Sequence, residues 1–141
     1  MVEKDRSWQL FKVSIIFAGA AICRYLFNFF VGILLTLDEF GRGTRSFWTI
    51  FRCSHRIILA AWIISALVGM VVRKKPLGVN ICIAAGIANI GLIAGYNLIW
   101  VVYGTYFGVV ATILLILADL AIPALFTITA YQLRRVYKLQ S

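Results

Sequence analysis

The chain has 141 residues, of which 62% are hydrophobic and 13% are charged, and its formal net charge is +9. Soluble domains contain about 25% charged residues. This chain also contains several hydrophobic segments of about twenty residues or more, separated by short breaks. One soluble core cannot bury that much apolar surface, so the composition excludes a soluble protein and predicts an integral membrane protein.

Four apolar segments predict an all-α fold, an antiparallel bundle of four transmembrane helices that forms a single domain. We predict the spans at residues 13–35, 47–72, 77–98 and 103–133. Each would exceed the roughly 30 Å apolar thickness of a bilayer at about 1.5 Å per residue. Because the connections are short, neighbouring spans are expected to run in opposite directions.

The basic residues predict the orientation of the bundle. They cluster in the N-terminal segment, in the connection between the second and third spans, and at the end of the fourth span: Lys4, Arg6, Lys12, Arg73, Lys74, Lys75, Arg134, Arg135 and Lys138. Such clusters favour the cytoplasmic side, so both termini are predicted to be cytoplasmic, in a plasma or energy-transducing membrane. The same placement indicates contact with anionic lipid headgroups rather than with nucleic acid.

Small residues indicate which helix faces pack inside the bundle, because helices in lipid associate through close approach of Gly, Ala and Ser. In the third span, Ala84, Ala88, Gly91 and Gly95 share one face and are predicted to point inward. In the other three spans, Arg24, His55 and Asp119 lie on faces lined by small residues. Polar side chains are therefore expected inside the bundle.

Arg24 in the first span and Asp119 in the fourth are both expected near the middle of the bilayer. An unpaired charge at that depth costs several kcal/mol, so each residue needs a partner. We predict an ion pair between Arg24 and Asp119, most simply a fixed salt bridge that specifies how the helices pair. A proton or ion site and a counter-charge from a partner subunit are the alternatives.

His55, the only histidine of the chain, lies near the predicted outer end of the second span. Arg52 precedes it by about one turn and Arg56 follows it directly. An imidazole beside arginines could supply an axial ligand to a b-type haem and cations to its propionates. The leading interpretation is a hydrogen-bonded histidine under the outer loop, and haem ligation and a contact to a quinone headgroup are the alternatives. Cys23, Cys53 and Cys82 form no CxxC pair, and Cys23 and Cys82, which fall inside spans, are expected to be buried small apolar side chains.

The segment FRCSHRIILAAWIISALVGMVV, residues 51–72, resembles the second span of haem A synthase, where a histidine–arginine pair opens a hydrophobic helix on the outer side. The resemblance covers the layout of residues 45–130, and His55 and Arg56 are its specific matches. It implies a four-helix half-module that holds haem. However, the family's acidic residue before the histidine has no counterpart here, and its second histidine is absent from YGTYFGVVATIL, residues 103–114.

The sequence contains no recognisable catalytic set, so we expect a protein that is not an enzyme. The predicted function is that of an accessory subunit of a larger membrane complex, in particular a respiratory electron-transfer assembly of the terminal-oxidase type. Its expected partners are lipids and other integral-membrane subunits. A stand-alone haem-binding protein related to haem A synthase and a small dimeric transporter are the alternatives.

Overall fold

The computed structural model of the protein describes residues 2–37, 45–103 and 109–140, and these residues form four α-helices. They are α1 (Val2–Leu37), α2 (Arg45–Val72), α3 (Pro76–Tyr103) and α4 (Val109–Gln140). No strand occurs in these three ranges. Each helix contains a stretch that is long and apolar enough to cross a membrane. The predicted all-α, four-helix membrane fold is confirmed.

Two helices extend well beyond the predicted spans. α1 starts at Val2 and not near residue 13, and α4 continues to Gln140 and not only to residue 133. Hydropathy detects only the lipid-facing part of a helix, whereas the backbone hydrogen bonding continues through polar residues that favour helix, such as Glu, Lys, Arg and Gln. Residues 104–108, at the predicted start of the fourth span, lie outside the described ranges.

The helices form a ring in which each packs against two neighbours. α1 packs on α2 and α4, and α3 packs on the same two helices from the opposite side. Arg6 bonds to Gln132, and Arg24 bonds to Asp119, so α1 and α4 run in opposite directions. The chain therefore closes its ring by joining its first helix to its last.

The centre of the ring is filled by aromatic side chains. Phe17 of α1 lies between Trp62 of α2 and Phe126 of α4, and its ring centroid is 5.0 Å from each of theirs. All three side chains are almost completely buried. This layer supplies the large contact area that holds α1, α2 and α4 together.

The prediction of which face of α3 points into the bundle is wrong. Ala84, Ala88, Gly91 and Gly95 are exposed on the surface of the bundle, and a Cβ added to either glycine would have no heavy atom within 4 Å. The buried face of α3 instead carries a mixture of apolar residues, polar residues and one glycine at alternating spacings of three and four: Val79, Cys82, Gly86, Asn89, Ile93 and Tyr96. Small residues mark close helix contacts, but they do not say whether the neighbouring helix belongs to the same chain.

Two other glycines do serve close contacts inside the bundle. A Cβ on Gly69 of α2 would collide with the hydroxyl of Ser14 and would lie 2.9 Å from the ring of Phe126. A Cβ on Gly86 of α3 would collide with the hydroxyl of Thr127 and would lie 3.3 Å from its Cα. The absence of a side chain at these positions lets α2 and α3 approach their neighbours.

Candidate functional site

Four polar side chains, one from each helix, meet inside the bundle. They are Arg24 of α1, His55 of α2, Tyr96 of α3 and Asp119 of α4, and we call them the four-helix polar cluster. Every member is linked to another by a hydrogen bond or an ion pair. The cluster connects all four helices at one level, which makes it the strongest candidate for a functional or architectural centre.

The cluster lies well inside the apolar layer. Arg24 follows Lys12 by twelve residues, which corresponds to about 18 Å along a helix. Asp119 precedes Arg134 by fifteen residues, or about 22 Å. Both distances are large fractions of a roughly 30 Å hydrocarbon core, so water cannot readily solvate these charges. The charges must therefore be neutralised by the protein itself.

Arg24 and Asp119 form a two-pronged ion pair. Nε of Arg24 donates to Oδ1 of Asp119 at 2.9 Å, and an Nη donates to Oδ2 at 3.2 Å. The exposed fractions of the two side chains are 10% and 20%, so both are largely buried. This parallel geometry is the stronger form of the arginine–carboxylate contact. It joins the two helices that close the ring.

His55 connects the ion pair to α3. Its Nδ1 lies 3.4 Å from an Nη of Arg24, and its Nε2 lies 3.0 Å from the hydroxyl oxygen of Tyr96. The imidazole and phenol rings meet edge-on with centroids 5.1 Å apart. His55 is 5% exposed and Tyr96 is 8% exposed. Both ring nitrogens of the histidine thus face partners inside the chain.

The contacts of His55 define one tautomer. A guanidinium has five N–H donors and no acceptor, so Nδ1 must present its lone pair to Arg24. Nε2 then carries the proton and donates to the oxygen of Tyr96. The guanidinium carbon also lies 4.9 Å from the ring centroid of Tyr96 and 5.8 Å from that of Trp62, which adds cation–π attraction.

The tautomer provides a direct spectroscopic prediction. We expect the ¹⁵N spectrum of the protein in micelles to show His55 with a protonated Nε2 and an unprotonated Nδ1. The chain contains one histidine, so the assignment is unambiguous. The variant Tyr96→Phe should shift the Nε2 resonance and leave the tautomer unchanged, because Arg24 still requires the lone pair of Nδ1. A protonated Nδ1 in the parent protein would contradict this arrangement.

The residues around His55 do not fit an axial haem ligand. Ligation needs a ring nitrogen whose lone pair points at the iron, whereas Nε2 contacts Tyr96 and Nδ1 contacts Arg24. Arg52 and Arg56 are exposed and are not part of the cluster. The structure brings His55 together with Arg24 and Tyr96, whereas Arg52 and Arg56 lie on the exposed side of α2.

Tyr96 is the cluster member that sequence analysis missed. A signal was present, because Cys82, Asn89 and Tyr96 follow one another at intervals of seven residues and share the buried face of α3. Asn89 itself donates to the hydroxyl of Ser65 at 2.7 Å, a second polar link between α2 and α3. Polar spacing would have identified the inward face of α3 where small residues did not.

The other candidate sites remain dispersed. All three cysteines are free thiols. Cys82 is buried as predicted, whereas the prediction for Cys23 is wrong, because Cys23 lies on the outer face of α1 and is exposed, as is Cys53. Within the described ranges, no three His, Cys, Asp or Glu side chains are grouped closely enough to hold a metal ion. The four-helix polar cluster is therefore the site on which functional proposals must be based.

Comparison of the chain with protein-family models, with curated proteins and with solved structures found no match.

Proposed function

We propose that this protein is an accessory integral-membrane subunit of a larger complex. The observation that carries the proposal is that the charged groups inside the bundle neutralise one another. Arg24 and Asp119 pair directly, and His55 and Tyr96 complete the cluster. Such a core stabilises a fixed arrangement of helices. The outer surface of the bundle is then the part of the protein that is available to bind a partner.

The state of Asp119 argues against a small transporter. A membrane carboxylate that carries a proton or cation must be able to exchange its counter-charge with the substrate. Here both carboxylate oxygens accept hydrogen bonds from Arg24. Next to the cluster, the packed rings of Phe17, Trp62 and Phe126 fill the centre of the bundle. A scaffold requires no such exchange, so the scaffold function explains both features.

The outer face of α3 is the surface on which we expect a partner helix. It presents Ala84, Ala88, Gly91 and Gly95 to the outside, with Ile87 and Leu98 beside them, whereas α1 exposes the large aromatic side chains Phe27, Phe29 and Phe30. Large apolar residues suit lipid chains, and small residues allow another helix to approach its backbone closely. The proposed occupant is a transmembrane helix of another subunit.

We further propose that the larger complex belongs to the respiratory chain. The resemblance of residues 51–72 to haem A synthase favours a respiratory electron-transfer assembly of the terminal-oxidase type. The electron carriers of such an assembly would belong to its other subunits, because His55 is engaged by Arg24 and Tyr96. The distribution of basic residues favours cytoplasmic termini in an energy-transducing membrane.

The test is the mass of the native particle after gentle detergent extraction. We expect the protein to elute with an assembly far larger than its own 15.8 kDa. Gly91→Leu should release it as a small particle, because the leucine would occupy the space of the partner helix. Gly19→Leu on α1 is the matched control, since a Cβ at Gly19 also has no heavy atom within 4 Å. It should leave the assembly intact.

One result would overturn the subunit proposal, and another would overturn its contact surface on α3. Elution of the parent protein as a monomer or dimer would show that it is not bound to partner subunits. A Soret band that disappears in His55→Ala would then support the stand-alone haem-binding protein, and its absence would support the transporter. Equal loss of the assembly in Gly91→Leu and Gly19→Leu would show that α3 is not the contact surface.

A further inference from the structure

One end of the bundle carries a strong excess of positive charge. The basic side chains there come from the start of α1, the α2–α3 turn and the end of α4: Lys4, Arg6, Lys12, Arg73, Lys74, Lys75, Arg134, Arg135 and Lys138. The described acidic residues at this end are Glu3 and Asp5. A bundle end of this charge attracts anions at the membrane surface.

Part of this basic end is organised into a defined structure. The amine of Lys12 lies 5.8 Å from the ring centroid of Trp8, which stacks on Phe11 with centroids 5.1 Å apart. The guanidinium carbon of Arg73 lies 4.6 Å from the ring centroid of Phe11. Two cations thus flank a pair of stacked rings, and we call this group the cation–aromatic row.

The row is fixed by contacts with three helices. Trp8, Phe11 and Lys12 belong to α1, and Arg73 follows the last residue of α2. An Nη of Arg73 donates to the carbonyl of Met70. The carbonyl of Arg73 accepts a hydrogen bond from the hydroxyl of Tyr137 in α4 at 3.0 Å. The position of Arg73 is therefore set before any ligand arrives, which lowers the entropy cost of binding.

The row lies where the apolar surface of the bundle begins. Lys12 is the last charged residue of α1 before the long apolar stretch, and Arg73 is the first after the apolar part of α2. Trp8 is 51% exposed, and indole rings favour the headgroup level of a bilayer. A ligand at the row would touch charged groups on one side and hydrocarbon on the other.

We propose that the cation–aromatic row of Trp8, Phe11, Lys12 and Arg73 binds the phosphate headgroup of an anionic phospholipid. Lys12 and Arg73 supply charge-assisted hydrogen bonds to the phosphate oxygens, with Arg73 donating through N–H groups other than the one on Met70. The two rings support the glycerol and the upper acyl chains. Inorganic phosphate would bind the two cations but would make no apolar contact with the rings or with the adjacent surface of α1.

The experiment measures lipid binding to the purified, delipidated full-length protein by native mass spectrometry. The probes are phosphatidylglycerol, phosphatidylcholine with matched acyl chains, and inorganic phosphate. We expect phosphatidylglycerol to bind at least about tenfold more tightly than either alternative. Lys12→Ala should weaken phosphatidylglycerol binding about tenfold, because it removes a charge-assisted hydrogen bond to the phosphate. Lys12→Arg should restore it. Lys12 is exposed, so neither change threatens the fold.

Lys4→Ala and Arg135→Ala are the matched controls, because each removes one exposed positive charge from the same end but outside the row. We expect each to change the affinity by less than about twofold. Equal losses in Lys12→Ala and the controls would overturn the proposal in favour of unspecific surface charge. Equal binding of phosphatidylcholine, or of inorganic phosphate, would overturn it as well.

Discussion

Asp119→Leu should destabilise the bundle by about 3–5 kcal/mol, the usual cost of removing one partner of a buried ion pair. The change leaves the guanidinium of Arg24 without its two acceptors at a depth where water cannot replace them. Unfolding in mixed micelles, followed by far-ultraviolet circular dichroism, measures the difference in the free energy of unfolding.

The double variant Arg24→Met with Asp119→Leu separates the charge from the contact area. Apolar replacement of a buried pair is often neutral or stabilising. His55 loses its contact with Arg24, which costs about 1 kcal/mol. We therefore expect the double variant to recover most of the stability lost in Asp119→Leu. A double variant as unstable as the single one, or a silent Asp119→Leu, would show that the pair does not hold α1 against α4.

Trp62→Ala is expected to have the second large effect. Trp62 is completely buried and packs against Phe17 in the aromatic centre, so its truncation leaves a cavity that costs about 3–5 kcal/mol. Thermal unfolding in a fixed detergent, supported by a denaturant titration, measures this loss.

Trp62→Phe is the informative companion. Nε1 of Trp62 is a buried side-chain donor that has no hydrogen-bond partner in the described part of the chain. Phenylalanine keeps a ring against Phe17 and removes that donor, so the loss of volume and the relief of the unpaired group oppose each other. We expect a cost below about 1.5 kcal/mol. A loss as large as that of Trp62→Ala would mean that the indole N–H has a partner, such as a bound water.

Much of the architecture could be predicted because the bilayer restricts the solutions. Four apolar segments separated by short or charged connections leave an antiparallel helical bundle as the simplest fold. Two opposite charges at similar depth had to find partners, and the structure places Arg24 against Asp119. These arguments use the energy of desolvation, which is large enough to dominate the details of packing.

The face of α3 could not be predicted from its small residues, because lipid exerts no force that drives a helix to bury one side. Ala84 and Gly91 suit a close contact with any helix, inside or outside the chain. Asn89 and Tyr96 determine which face of α3 is buried, since polar groups within the bilayer must form hydrogen bonds. The link from His55 to Tyr96 depends on that rotation of α3 and so could not be predicted either.

The ion pair between the first and last helices has a consequence for biosynthesis. Arg24 is made 95 residues before Asp119, and at about 5–20 residues per second the ribosome needs several seconds to close that interval. During this time α1 holds an arginine that no carboxylate neutralises. We therefore expect chains that stop after α3 to form a less stable bundle and to be degraded faster than chains that include α4. Synthesis of α4 would complete the bundle by supplying the counter-charge of Arg24.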